Sequence, residues 1–297
     1  MPWLLPVVVV AAATSLAALQ PATPGNKRKE IVEVSLVARD TSVKPGDTTH
    51  VAVVFDIAKD WHIYWPGQNG SGMPTSIQLE FPPGSGFTAG APAFPLPHRH
   101  TEEGDILNYI HEGKVVVTLP IKVPATAKAG QKVPVTAKVE YLVCKTQCQP
   151  GDAAVTATIT VADKAAANPA DAKLVDDALA AQPKPQSDGF DAAATAKWEG
   201  DAARADAPQT LVIAAKDAAA GQIAFFPADA AAKLLDPIRA GQVKGNTLRL
   251  SFEPGSKPVE GVVVIGTGKN ARSWSFSMSR PLSAAPAAVP AAPAPSR

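Results

Sequence analysis

The residues that could do chemistry in this 297-residue chain are its two cysteines, Cys144 and Cys148. Two nearby cysteines can form a disulfide or exchange one with the thiols of another protein. If the backbone stayed extended between them, their Cα atoms would lie about 13 Å apart, beyond the ~7 Å limit for a disulfide. We therefore predict that the chain turns at residues 145–147 and that the pair lies at or beside the end of a β-hairpin.

The strand that leads into Cys144 has one apolar and one more polar face. A second predicted strand, Ala153 to Val161, follows the turn residues Gln149-Pro150-Gly151-Asp152. Because side chains alternate along a strand, Cys144 is expected on the more polar face. The apolar face comprises Val133, Val135, Ala137, Val139, Tyr141 and Val143, and the other comprises Thr136, Lys138, Glu140, Leu142 and Cys144.

The spacing of the pair leaves two interpretations open. Closing so short a loop removes only roughly 2 kcal/mol of unfolded-state entropy, so the pair is a weak staple. Lys145 can favour a neighbouring thiolate, which suits thiol-disulfide exchange. An exported protein with two cysteines usually forms one inert disulfide, however, and spacing alone favours that interpretation.

Charge and strand pattern define the class of protein. The 28 basic and 27 acidic residues leave a net charge of +1, which indicates neither nucleic acid nor an anionic membrane as a partner. Short alternating apolar runs between turns predict an all-β protein, a β-sandwich followed by a smaller β-rich domain. The runs are Ile31 to Val37, Thr49 to Phe55, Ile77 to Phe81, Val115 to Val123, Val133 to Val143, Ala153 to Val161, Thr210 to Ala214, Ile223 to Phe226, Thr247 to Phe252, Gly261 to Ile265 and Trp274 to Met278.

The beginning of the chain has the pattern of an export signal. An apolar run from Leu4 to Ala13 precedes small residues, which predicts a periplasmic or otherwise exported protein. No later segment is apolar enough to span a membrane, so we expect no membrane span after signal removal. The predicted organisation is a signal peptide (1–22), a β-sandwich (28–163), a linker with a short helix (164–195), a second β-rich domain (196–280) and a disordered Ala/Pro tail (281–297).

An ordered set of motifs between Trp61 and Val161 resembles the amino-terminal domain of the DsbD and ScsB family of transmembrane disulfide reductases. The motifs are His62-Ile63-Tyr64-Trp65, Ser71-Gly72-Met73-Pro74-Thr75, Phe94-Pro95-Leu96-Pro97, Tyr109 with Glu112-Gly113, Tyr141-Leu142-Val143-Cys144 and Cys148-Gln149-Pro150. Phe94-Pro95 stands where the family usually has Trp-Pro, and Pro66-Gly67-Gln68-Asn69 replaces the usual lysine and Asn-Pro-Gly turn. Both departures leave the cysteines unchanged.

The resemblance implies an immunoglobulin-like sandwich in which Cys144 and Cys148 are the redox pair. It further implies electron transfer with periplasmic thioredoxin-like or disulfide isomerase proteins, an activity of protein-disulfide reductase type if the protein is an enzyme. An aromatic flap that shields the pair is also implied, with Tyr64, Trp65, Phe94 and Tyr109 as candidates, although for any one of these rings the favoured interpretation is that it fills the core. The membrane and thioredoxin-like domains of the family are absent from the sequence, so a separate membrane electron donor is expected.

Two other functions compete with redox exchange. His98 and His100 could bind copper or zinc together with Cys144, Cys148 or Met73, although a solvated loop is the favoured interpretation of both histidines. The protein could instead be a structural or interaction module with an inert disulfide. No hydrolase, phosphate-binding or nucleic-acid-binding motif is present, and we predict no cofactor and no metal.

Overall fold

Alternating apolar residues build the molecule almost entirely from β-strands. The computed structural model describes residues 31–199, 206–217, 222–238 and 242–280, and within these ranges the strands form four sheets. The predicted all-β fold class is confirmed. The predicted signal peptide (1–22) and tail (281–297) lie outside the described residues.

Two sheets enclose the first core, and we call this part the first sandwich (residues 32–167). One sheet has the strand order β1-β3-β9-β6, and the other has the order β12-β2-β11-β10-β4-β8-β7, with β5 beside β10. The strands are β1 (Val32–Ala38), β2 (Asp40–Val43), β3 (Thr48–Ile57), β4 (His62–Tyr64), β5 (Ser76–Glu80), β6 (Thr88–Ala89), β7 (His98–Glu102), β8 (Ile106–Glu112), β9 (Lys114–Lys122), β10 (Lys132–Cys144), β11 (Cys148–Val161) and β12 (Ala166–Ala167).

The core of the first sandwich follows the predicted alternation. Every second residue of β10 from Val133 to Val143 is buried, and β3 and β9 contribute fully buried residues such as Val53 and Val117. A tight turn at Lys44 to Asp47 joins β2 to β3, and in it the Asp47 amide donates to the Lys44 carbonyl oxygen (3.2 Å). Gly46 has a φ of +85°, which glycine adopts without a steric penalty.

The segment predicted as a linker packs on the first sandwich. It contains helix α1 (Ala172–Ala180), whose Val175 is completely buried. Arg39 forms an ion pair with Asp176 of the helix (2.7 Å). The Gln182 side chain donates to the Ala93 carbonyl oxygen (3.2 Å), so contacts with the first sandwich continue past the end of α1.

A second pair of sheets encloses the other core, and we call this part the second sandwich (residues 184–278). The sheets have the orders β13-β20-β19-β16 and β14-β15-β18-β17. Aromatic rings of Phe190, Phe225, Phe252, Trp274 and Phe276 fill the space between them. The elements are β13 (Lys184–Pro185), α2 (Phe190–Ala193), β14 (Ala194–Trp198), β15 (Gln209–Ala215), β16 (Ile223–Pro227), β17 (Val243–Lys244), β18 (Thr247–Phe252), β19 (Val259–Ile265), a 3-10 helix (Gly268–Asn270) and β20 (Arg272–Met278).

The prediction of a solvated loop at His98 and His100 is wrong. Both residues lie in strand β7, which pairs with β8 in antiparallel register, and His100 is half-buried. Strand β7 consists of His-Arg-His-Thr-Glu, so it has none of the alternating apolar residues by which strands are recognised in a sequence. Backbone pairing with the apolar strand β8 forms it instead.

Burial of His111 predicts a pH-dependent stability. Its ring stacks on Phe94, its Nε2 atom has no hydrogen-bond partner among the described residues, and burial lowers its pKa to about 3. The unfolded chain takes up this proton near pH 6.5, so the free energy of unfolding falls as the pH drops from about 6.5 towards 3. We expect His111→Leu to remove a slope of roughly 1.4 kcal/mol per pH unit in that window. Urea unfolding at pH 7, 6, 5 and 4 measures it, and parallel curves for variant and wild type would contradict the prediction.

Candidate functional site

The hairpin formed by β10 and β11 brings the two cysteines together. Its antiparallel register runs from Lys132 opposite Thr160 to Cys144 opposite Cys148. The two cysteines are bonded as a disulfide with a Cα–Cα distance of 4.1 Å. Residues 145–147 form the connection, as the sequence predicts, and the Lys145 amide donates to the Gln147 carbonyl oxygen (3.4 Å).

The two cysteines differ strongly in exposure. Cys144 is 3% exposed and belongs to a small buried cluster with Tyr64 and Ile110, against which Leu142 packs. Cys148 is exposed. The face that the sequence marks as more polar is therefore apolar around Cys144, and Cys148 is the more accessible of the two cysteines.

The Tyr64 hydroxyl lies against the disulfide. Strand β4 pairs with β10 through His62 opposite Cys144, so Tyr64 lies on the face of the sheet that carries the sulfurs. Its hydroxyl donates to Cys144 Sγ (3.2 Å) and lies 3.9 Å from Cys148 Sγ. Burial, and then the carboxylate of Glu102, raise the pKa of Tyr64 to about 12, so the hydroxyl remains a donor at neutral pH.

Glu102 links Tyr64 to a polar network that sequence reasoning missed. Its Oε1 atom lies 3.5 Å from the Tyr64 hydroxyl and accepts a hydrogen bond from Asn108 Nδ2 (2.8 Å). Asn108 also donates to Ser71 Oγ (2.9 Å) and accepts from the Ser71 amide (3.0 Å). Asn108 is completely buried within the apolar strand β8, and this polar residue among apolar ones was the available signal.

His62 lies opposite Cys144 in the sheet, and His100 lies against His62. His62 is buried opposite Cys144, and its ring centroid is 5.2 Å from that of His100 and 5.3 Å from that of Tyr64. Burial, and then His100, lower the pKa of His62, which favours its neutral form. Within the described part of the chain, no group of three or more His, Cys, Asp or Glu residues could hold a metal ion.

The other predicted shielding residues lie away from the sulfur face. Trp65 and Tyr109 meet edge to face with centroids 6.0 Å apart, and both contact Phe226 of the second sandwich. Phe94 stacks on His111. All three belong to the large first core, so of the four candidates Tyr64 is the one placed against the disulfide.

Lys145 follows Cys144 directly in the chain, but its ammonium group is paired with the carboxylate of Asp60. Its Nζ atom forms an ion pair with Asp60 (3.1 Å), and both side chains are largely exposed. Solvent screens such a pair, so Lys145 contributes only weakly to stabilising a thiolate at this site.

Comparison with known proteins identifies a DsbD-like N-terminal domain in the chain. Residues 29–160 match the family model of thiol:disulfide interchange protein DsbD, N-terminal. The N-terminal periplasmic domain of ScsB from Proteus mirabilis has a TM-score of 0.54 at 14% identity, and the match covers 88% of this chain and 97% of that one. The reduced DsbD N-terminal domain of Neisseria meningitidis has a TM-score of 0.27 at 17% identity, and the match covers 45% of this chain and 88% of that one. No curated protein matches the chain.

Among the described residues, no helix is long and apolar enough to span a bilayer.

The Tyr64 hydroxyl is expected to lower the pKa of the Cys144 thiol, because a hydrogen bond to the charged form stabilises it. In a Cys148→Ser background, Tyr64→Phe should raise this pKa by roughly one unit. The pH dependence of alkylation by iodoacetamide measures it.

Tyr109→Phe is the matched control for this substitution. It removes a buried hydroxyl that has no hydrogen-bond partner among the described residues. If Tyr64→Phe and Tyr109→Phe give the same pKa for the Cys144 thiol, the role of Tyr64 is rejected.

Proposed function

Because residues 29–160 form a DsbD-like N-terminal domain, we propose that this protein exchanges disulfides with partner proteins through Cys144 and Cys148. The observation that carries the proposal is the disulfide at the end of a hairpin, with Cys148 exposed and Cys144 buried beneath Tyr64. An inert staple needs no difference in exposure between its sulfurs. A pair that forms a mixed disulfide needs one sulfur that a partner can reach and a second close enough to displace that partner.

The reaction follows from this difference in exposure. In the reduced protein, the Cys148 thiolate attacks the disulfide of a partner, and one partner sulfur leaves as a thiolate and takes up a proton. The Cys144 thiolate then attacks Cys148 Sγ, which forms the intramolecular disulfide and releases the second partner sulfur. Two electrons pass to the partner, whose disulfide becomes a dithiol.

Tyr64 supports the second step of this reaction. Its hydroxyl points at Cys144 Sγ, so it stabilises the thiolate that must attack Cys148. The surrounding cluster excludes water from Cys144, which strengthens this hydrogen bond. A dithiol donor regenerates the reduced pair by the reverse sequence, again through Cys148.

The partners proposed for this site are thioredoxin-like or disulfide isomerase proteins, with a separate membrane protein as electron donor. The proposed location is the periplasm. Support comes from the match to the DsbD family model and from the signal-like pattern of residues 1–22. An oxidising compartment also favours a disulfide over two thiols.

The proposed order of attack can be tested by trapping. We expect Cys144→Ser to accumulate a mixed disulfide through Cys148, because no resolving thiol remains. Cys148→Ser should trap far less, because Cys144 is buried. The variants are incubated with a periplasmic extract, separated by non-reducing electrophoresis and identified by mass spectrometry. An absence of trapped protein in both variants would overturn the proposal, and preferential trapping by Cys148→Ser would reverse the assigned roles.

A further inference from the structure

The segment that follows β4 connects the redox site to the second sandwich. We call residues 65–71 the clamp segment. It begins directly after Tyr64, and Gly67 forms an isolated β-bridge with Ala228 of the second sandwich. The Gln68 amide donates to the Pro227 carbonyl oxygen (3.1 Å), so the backbone of the segment is held against the second sandwich.

The side chain of Gln68 strengthens this attachment. Its Nε2 atom donates to the carbonyl oxygens of Ala228 (2.9 Å) and Ala232 (3.0 Å). Both amide protons of the side chain are thereby used on the second sandwich. At Gly67, any side chain would overlap the ring of Trp65 and the Pro227 carbonyl oxygen, which shows how closely the two parts approach.

The far end of the clamp segment reaches the redox site. The Gly70 amide donates to the Leu107 carbonyl oxygen (2.9 Å), and Ser71 exchanges two hydrogen bonds with Asn108. Asn108 in turn donates to Glu102, whose carboxylate lies beside the Tyr64 hydroxyl. The next residue, Gly72, lies so close to the Tyr64 ring that an added Cβ would come within 2.5 Å of it.

Strand β7 has a second attachment to the same part of the molecule. Arg99 Nη2 donates to the carbonyl oxygens of Pro237 (3.1 Å) and Ile238 (3.4 Å). Glu102 is the last residue of this strand. Ser71, whose hydroxyl donates to Glu102 Oε2 (3.4 Å), and Glu102 itself thus each lie within a few residues of an attachment to the second sandwich.

We propose that the second sandwich positions the cover of the redox pair. Through Gln68 and Arg99 it holds the clamp segment and β7 beside Tyr64, and this arrangement keeps Cys144 inaccessible beneath Tyr64 while Cys148 stays exposed. Gln68 is accordingly a positioning residue that acts through Ser71, Asn108 and Glu102. The use of this positioning in disulfide exchange rests on the proposed function, whereas the accessibility of Cys144 can be measured without it.

The test measures the reactivity of the buried Cys144 thiol in the full chain, with Cys148→Ser present in every protein compared and the rest of the sequence wild type or changed at one further position. We expect Gln68→Ala to accelerate alkylation of Cys144 by iodoacetamide roughly fivefold, the factor that one net hydrogen bond contributes to a local opening equilibrium. The alkylated fraction at successive times measures the rate. Hydrogen exchange at the Gly70 and Ser71 amides should rise in parallel, whereas a loss confined to the second sandwich would leave these amides protected.

Asn246→Ala is the matched control. It removes a hydrogen bond of the same kind within the second sandwich, from Asn246 Nδ2 to the Ala215 carbonyl oxygen (2.6 Å). Arg99→Ala tests the other attachment and serves if Gln68→Ala does not fold. The proposal is overturned if the variants at 68 and 99 react at the rate of wild type or of Asn246→Ala.

The outcome separates this inference from the proposed function. If no protein partner is trapped but Gln68→Ala still accelerates alkylation of Cys144, the exchange function fails and the positioning role stands. If partners are trapped and the variants at 68 and 99 react like wild type, the reverse holds.

Discussion

The register of the β10–β11 hairpin is the constraint on which the site depends. The inward residues of β10 are fixed by burial in the first core, and Cys144 is fixed opposite Cys148 as a consequence. A slip of one residue would turn every buried valine of β10 outward and move Cys144 to the core side of the sheet. Tyr141 reinforces the register, because its ring lies over Gly151, where any side chain would collide with it.

The same register positions the groups around the sulfurs. Strand β4 pairs with the last residues of β10, and β8 pairs with β4, so Tyr64 and Ile110 arrive on the face that carries Cys144. Burial then keeps Tyr64 protonated and favours the neutral form of His62. The surroundings of Cys144 among the described residues therefore include an apolar cluster, His62 opposite it in the sheet and the Tyr64 hydroxyl, and the Glu102 carboxylate lies 3.5 Å from that hydroxyl. Burial is thus the largest cause of both pKa shifts beside the pair, the raised pKa of Tyr64 and the lowered pKa of His62.

Much of the fold and half of the site could be predicted from the sequence. Alternating apolar residues identified the long strands, and the reach of the backbone required the turn between Cys144 and Cys148. Strand β7 was not predicted, because it forms by pairing with β8 and its own sequence has no alternating apolar residues. Tyr64 could not be separated from Trp65 as a neighbour of the sulfurs, although successive residues of a strand point to opposite faces. The sequence showed the alternation but not which face would meet Cys144, because that depends on the pairing of β4 with β10.

Contacts across the two sandwiches could be predicted least, since they join residues that are far apart in the chain. Trp65 and Tyr109 pack on Phe226, and the neighbouring Gln68 meets carbonyl groups at positions 228 and 232. The aromatic contacts supply buried area without a preferred direction, whereas the hydrogen bonds of Gln68 require a defined placement of the clamp segment. Trp65, directly after β4, and Tyr109 of β8 carry rings for this interface, whereas Tyr64 of β4 and Ile110 of β8 lie on the opposite face and cover Cys144. The position of the second sandwich is therefore coupled by geometry to the surroundings of the disulfide, and this coupling gives the second sandwich a structural role in the site itself.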